Sequence, residues 1–141
     1  MIGLAVIIGG CNDLRDYRGS WSGARVGTNP VLRVGAPTAA AATLEITELD
    51  KAGLQGTIEI ADLVDQASFT SIAGAEADAL GGMTFTGSPL RVYLAFVAMP
   101  DGAGDALAMI ALYDEHRVEL RMLRGGTTPL YAIYALSEAG S

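Results

Sequence analysis

Three residue types on which much protein chemistry depends occur once each in this 141-residue chain: one histidine (His116), one cysteine (Cys11) and one lysine (Lys51). A nucleophilic Cys–His pair would need Cys11 and His116 to meet. Nothing in the sequence brings them together, because His116 lies between Asp114, Glu115 and Arg117 in a predicted hairpin turn. The same scarcity excludes a zinc cluster, a disulfide framework and a lysine-bearing phosphate loop. Glu76 with Asp78, and Asp114 with Glu115, have the spacing of acid/base pairs, yet each pair falls in a turn or exposed stretch where water solvates both carboxylates. The segment PDGAGD (100–105) supplies two carboxylates without the ligand spacing of a calcium loop. The sequence therefore predicts a protein that is not an enzyme and carries neither metal nor cofactor.

Sixteen acidic against nine basic residues leave a net charge of −7, and no segment concentrates arginine. Affinity for nucleic acid resting on phosphate neutralisation is excluded on that balance. With half of its residues hydrophobic, the chain has the material for one compact domain.

The elements that must position any binding site begin after a sharp break in composition. Residues 1–10, MIGLAVIIGG, carry no charge, and they are followed at once by Cys11 and the polar stretch NDLRDYRGS. Ten apolar residues are too few for a membrane-spanning helix, which needs about 20, but they suit the apolar region of a secretory signal. The alternative is a buried strand of a parallel sheet. No alternation of strands with helical patterns follows that would supply such a sheet.

Ile8, Gly9, Gly10 and Cys11 resemble the lipobox of bacterial lipoproteins, in which small residues let a signal peptidase draw the backbone through a narrow site. The resemblance implies that residues 1–10 are a lipoprotein signal peptide cut before Cys11, and that the Cys11 thiol carries diacylglycerol with palmitate-type chains. At about 0.8 kcal/mol per buried methylene, such chains anchor a protein durably in a membrane. Asn12 after the cysteine, where aspartate would favour the inner membrane in this family, implies an outer-membrane location on its periplasmic or surface face. Residues 11–18 then form the lipidated cysteine and a short tether, which reaches at most about 25 Å at roughly 3.5 Å per residue.

Residues 19–141 read as a single all-β domain. Leu44 and Ile46, then Ile58 and Ile60 beyond a turn through Asp50 to Gly53, alternate with Thr and Glu as a hairpin with one wet face does. Val118, Leu120 and Met122 alternate in the same way with Arg117, Glu119 and Arg121. Turn-rich segments at 100–105, 113–117 and 124–129 order the last four strands as a meander over about 90–99, 106–113, 117–124 and 130–137. A helical turn competes only at 75–80. The expected fold is an antiparallel up-and-down meander of about eight strands, a small barrel rather than a sandwich. Strands 90–99 and 106–113 are apolar on both faces, so they should be covered on both sides, by the chain itself, a partner or lipid.

Gly19, Ser20 and Trp21 resemble the Gly-x-Trp signature of lipocalins and related calycin barrels. That resemblance implies an eight-stranded barrel closed at one end by Trp21, with a late arginine, Arg124 or Arg121, packed across it; Arg124 is favoured by its place at a strand end. It implies binding of an apolar or lipid-like molecule in a cavity lined by Leu90, Val92, Leu94, Phe96, Val118, Leu120 and Met122. The alternative is an interaction module that docks another envelope protein through its doubly apolar strands.

Overall fold

The computed structural model describes residues 14–26, 41–50, 53–60, 63–72, 89–100, 102, 104–114, 116–126 and 129–139. Cys11, the apolar N-terminus and the 75–80 segment lie outside them. Eight antiparallel strands follow a single turn of 3-10 helix at Leu14–Tyr17: β1 (Gly19–Ala24), β2 (Ala41–Leu49), β3 (Leu54–Ile60), β4 (Val64–Thr70), β5 (Arg91–Val97), β6 (Ala106–Tyr113), β7 (Arg117–Arg124) and β8 (Leu130–Glu138). They form one sheet in the order β4-β3-β2-β1-β8-β7-β6-β5. Every strand pairs with its neighbours in sequence except β4 and β5, which form the two edges, and the first pairs with the last. This is the up-and-down meander expected, rolled into a nearly closed barrel of lipocalin-like type.

Two junctions close the cylinder. Between β1 and β8 the ladder is paired at Trp21 with Glu138 and Ser22 with Ser137, and it is extended by Ala139 N–H donating to the Ser20 carbonyl at 2.9 Å and Val26 N–H to Ile133 at 2.8 Å. Gly23 makes this junction possible. A β-carbon there would lie 1.8 Å from the Ala135 carbonyl oxygen, so only glycine lets the two backbones approach. On the opposite side, β4 and β5 are the two edges, and the Ile72 N–H donates to the Leu94 carbonyl at 2.7 Å across the seam.

The turns form where the sequence places them. Asp50 N–H donates to the Gly53 carbonyl at 3.0 Å, while the Asp50 carboxylate accepts from Gly53 N–H at 3.1 Å, closing the β2–β3 hairpin. His116 N–H donates to the Tyr113 carbonyl at 3.2 Å in the β6–β7 turn, and His116 itself adopts a left-handed backbone with φ of 58°.

The interior collects one face from every strand. Leu44, Ile58, Tyr93, Ile110, Leu120 and Tyr134 belong to one buried cluster, with Trp21 at its end. A second, smaller cluster of Val92, Leu94, Met109, Ala111 and Tyr113 lies on the outward face of β5 and β6. The inner face of these two strands and most of their outer face are therefore buried, with Phe96 on the outer face of β5 left exposed.

The cavity lining expected from sequence must be corrected here. Val118, Leu120 and Met122 point inward, but Val92 and Leu94 belong to the outer cluster, and Leu90 and Phe96 are exposed. The inward residues of β5 are Tyr93, Ala95 and Val97. With no polar face for contrast, the alternation in β5 fits either register, and only pairing with β6 selects one.

Replacing Gly23 by alanine is expected to force β1 away from β8 and to cost about 1–3 kcal/mol, the usual range for overpacking a tight site. Urea denaturation of Gly23→Ala beside Ser22→Ala measures this. Equal stability of the two variants would mean that the junction is not closed at Gly23.

Candidate functional site

Three places in the barrel gather groups that could do chemistry or bind: the end stoppered by Trp21, a polar network on the outer wall, and a groove beside the β4–β5 seam.

At the first, the 3-10 turn folds under the barrel and lays the Tyr17 ring against Trp21, with centroids 5.7 Å apart and planes 15° off parallel. The indole N–H donates to the Tyr17 carbonyl at 2.8 Å, and the Tyr17 hydroxyl donates to the Tyr113 carbonyl. His116 tilts over both rings, 5.2 Å from Tyr17 and 5.1 Å from Trp21, and its Nε2 lies 3.4 Å from the Glu138 carboxylate. Trp21 is fully buried beneath these rings. The stacked group is a histidine from the β6–β7 turn, in addition to the tyrosine.

Arg124 is not at this end. β7 starts beside His116 and runs away from it, which puts Arg124 seven residues from Arg117, about 23 Å along the strand at roughly 3.3 Å per residue. There its guanidinium donates to the Gly104 carbonyl at 3.4 Å. Arg121 faces outward. A cation–π contact among the described residues places Arg117 over Tyr113, 3.9 Å from the ring centroid. Strand polarity, which a three-residue motif does not encode, decides this placement.

The outer-wall network is built on β7. Glu119 and Arg121, two residues apart and so on one face, pair through Nε and a carboxylate oxygen although each is about 95% buried. Tyr113 donates its hydroxyl to the other Glu119 oxygen at 3.3 Å, and Arg121 Nη1 donates to the Tyr131 hydroxyl at 3.3 Å. Burial first, and the Glu119 carboxylate second, push the Tyr113 phenol up to about 12. A buried pair satisfied on both sides is an arrangement that holds structure; nothing reactive is left open in it. Among the described residues no group of three or more His, Cys, Asp or Glu comes together to hold a metal ion.

The described core side chains are closely packed. Trp21, Leu44, Ile110, Leu120, Met122 and Tyr134 present no surface to a water-sized sphere, which they would if they bordered a void large enough for a ligand. The Tyr134 hydroxyl is the one described buried side-chain polar atom without a hydrogen bond.

The groove lies outside, over β2, β3 and β4, and is bounded by Phe96 of β5. It measures about 470 Å³ and is lined by the side chains of Thr47, Gln55, Thr57, Ser68 and Thr70 around the Phe96 ring. Sequence reasoning missed it. VDQASFT in β4 has too few apolar residues to read as a strand, so the three-strand wall that assembles these hydroxyls was not visible.

Two outcomes follow from the network. Glu119→Leu is expected to destabilise by about 3–5 kcal/mol, because Arg121 loses its buried counter-charge, and Glu119→Leu with Arg121→Leu should recover much of that loss; calorimetric melting of the cycle measures it, and additive losses would dismiss the coupling. Because the folded pKa of Tyr113 lies above its ordinary value near 10, the tyrosine contributes stability that is full below pH 10 and lost as pH rises towards 12. Tyr113→Phe should therefore flatten the alkaline fall of stability in that window, read from melts at stepped pH.

Compared with known proteins, the chain matches no family model, no curated protein and no solved structure, so the reading of its function rests on its own residues.

Proposed function

We propose that this protein is a lipid-anchored lipoprotein of the bacterial envelope, held by Cys11 in the outer membrane, whose β-barrel is a non-catalytic binding module that recognises its target on the outer wall. The close packing of the described core side chains is the observation that carries the choice of wall over cavity. A guest inside would have to displace Leu44, Leu120 or Tyr134, all fully buried in one cluster. Displacing packed side chains of that size costs several kcal/mol each, more than an apolar ligand recovers by entering the same space.

The sequence-level reading of an apolar or lipid-like guest within the barrel is weakened by that packing. Docking of another envelope protein through the doubly apolar strands β5 and β6 is less favoured as well, since most of their outer face is already buried and Phe96 is the side chain there that stays widely exposed. What remains open to a partner is the polar wall of β2–β4 with Phe96, the most exposed large hydrophobic residue described, at 60%.

Residues 14–17, expected as part of a solvated tether, instead form the 3-10 turn that puts Tyr17 in the core, so the fold begins closer to Cys11 than the sequence suggests. The chain enters the barrel through the 3-10 turn at the Trp21 end, a few residues after Cys11, so a lipid there would hold that end towards the membrane.

Intact mass of the protein from a bacterial membrane fraction tests the anchor: a chain starting at Cys11 plus diacylglycerol is expected, and it should vanish in Cys11→Ala. A retained Met1 on an unmodified chain would overturn it. Titration with a fluorescent fatty acid tests the wall against the cavity, with no saturable binding expected; stoichiometric binding that Leu120→Trp abolishes would return the ligand to the interior.

A further inference from the structure

The groove beside the seam has a composition that selects its guest. Among the residues that line it, Thr47, Gln55, Thr57, Ser68 and Thr70 are neutral and both donate and accept hydrogen bonds, and Phe96 offers an open aromatic face. No charged side chain lines it. Glu45 stands opposite Thr57, and Glu48 opposite Gln55, so carboxylates flank the lining in a chain that already carries −7. An acidic ligand is repelled from such a surface.

Its layout is equally specific. Gln55 pairs with Thr70, and Thr57 with Ser68, across β3 and β4, while the bulge after Ile46 sets Thr47 and Glu48 together against Gln55. Thr47, Gln55 and Thr70 thus form one row across three strands, about 10 Å long at roughly 4.8 Å per strand, and Thr57 with Ser68 forms a second row beside it. The Thr47 hydroxyl is spent on the Gln55 carbonyl at 3.1 Å. The side chains of Gln55, Thr57, Ser68 and Thr70 make no hydrogen bond to other described residues and keep their capacity for a ligand. All sit on paired strands, so the array is held rigid before anything binds.

Phe96 completes the pattern. It pairs with Leu107 on β6 and so is fixed at its backbone, yet its ring stays 60% exposed at the seam. A rigid field of neutral hydroxyl and amide groups beside one aromatic face complements a molecule with a ring of C–H bonds on one side and hydroxyls around its rim.

We propose that this groove binds a neutral glycan, about two sugar rings of a longer chain, with one ring stacked on Phe96 and its neighbour's hydroxyls held by Gln55, Thr57, Ser68 and Thr70. The assignment rests on the outer-wall reading of the barrel and names its ligand class. Neutral side chains orient the sugar, Phe96 supplies the apolar contact, and the flanking carboxylates exclude acidic chains.

The test uses the full chain in mild detergent, titrated with cellotetraose and chitotetraose as neutral probes and with an oligogalacturonate as the acidic one, followed by nuclear magnetic resonance. Saturable binding of a neutral probe is expected, weakened about tenfold in Phe96→Ala and in Gln55→Ala, with the acidic probe inert. Phe96→Ala should melt as the parent does, and Phe96→Trp should keep the affinity, which separates a lost contact from a lost fold. Absence of binding by either neutral probe at millimolar concentration would overturn the assignment, as would binding indifferent to both alanine variants. A parallel titration with an apolar fluorescent dye keeps the two readings apart. Dye binding that depends on Phe96, without any sugar binding, would remove the glycan and leave the outer-wall site; dye binding indifferent to Phe96 but sensitive to Leu120→Trp would remove both.

Discussion

A single antiparallel sheet has two faces, and a chain of this size can bury one of them fully only by rolling the sheet into a tube. The β1–β8 junction is therefore the constraint on which the rest depends. It needs the close approach at Gly23 and the backbone bonds from Val26 and Ala139 that extend the ladder. Once β1 meets β8, the inward faces of all eight strands converge on one cluster from Trp21 to Leu130. A second glycine has the same job: a β-carbon at Gly56 would lie 1.9 Å from the Glu45 carbonyl, beside the bulge that bends β2 against β3. Tight coiling of this kind narrows the tube until side chains fill it.

Filling the tube has a functional consequence. In a wide barrel the interior is the natural binding site, because it is concave and dry. Here Trp21 and Tyr134 occupy that space, and the aromatic stack of Tyr17, Trp21 and His116 stoppers one end. The proposed recognition is accordingly on the wall. The wall is not uniform: from β5 to β7 it is apolar or carries the buried Glu119–Arg121 pair, whereas from β2 to β4 it is polar and open, with a neutral groove flanked by carboxylates. The seam where the two edge strands meet marks the boundary between these halves, and Phe96 stands on it.

The candidate site also shows why a search for reactive residues found nothing in the sequence. Its side chains are threonines, a serine and a glutamine, which are among the commonest residues on any exposed strand face. They become a site only through register, since Thr47, Gln55 and Thr70 are distant in the chain and share a row because β2, β3 and β4 pair as they do. A motif search weighs spacing along the sequence, and cross-strand rows have no fixed spacing there.

Much of the fold was nevertheless legible. Alternation in Val118, Leu120 and Met122 against Arg117, Glu119 and Arg121, together with turn chemistry at Asp50–Gly53 and at Tyr113–His116, determined the strands, their antiparallel sense and the meander order, because period-two burial and left-handed turn positions are local properties of the chain. The tertiary structure alone decided that the ring over Trp21 belongs to His116 and that Arg124 lies at the far end, which face of β5 turns inward, that VDQASFT is a strand, and that Phe96 stands free beside a row of hydroxyls. Each of those depends on which strands lie side by side and in what register. Pairing between distant segments is set by closure of the whole sheet, a property no local pattern contains.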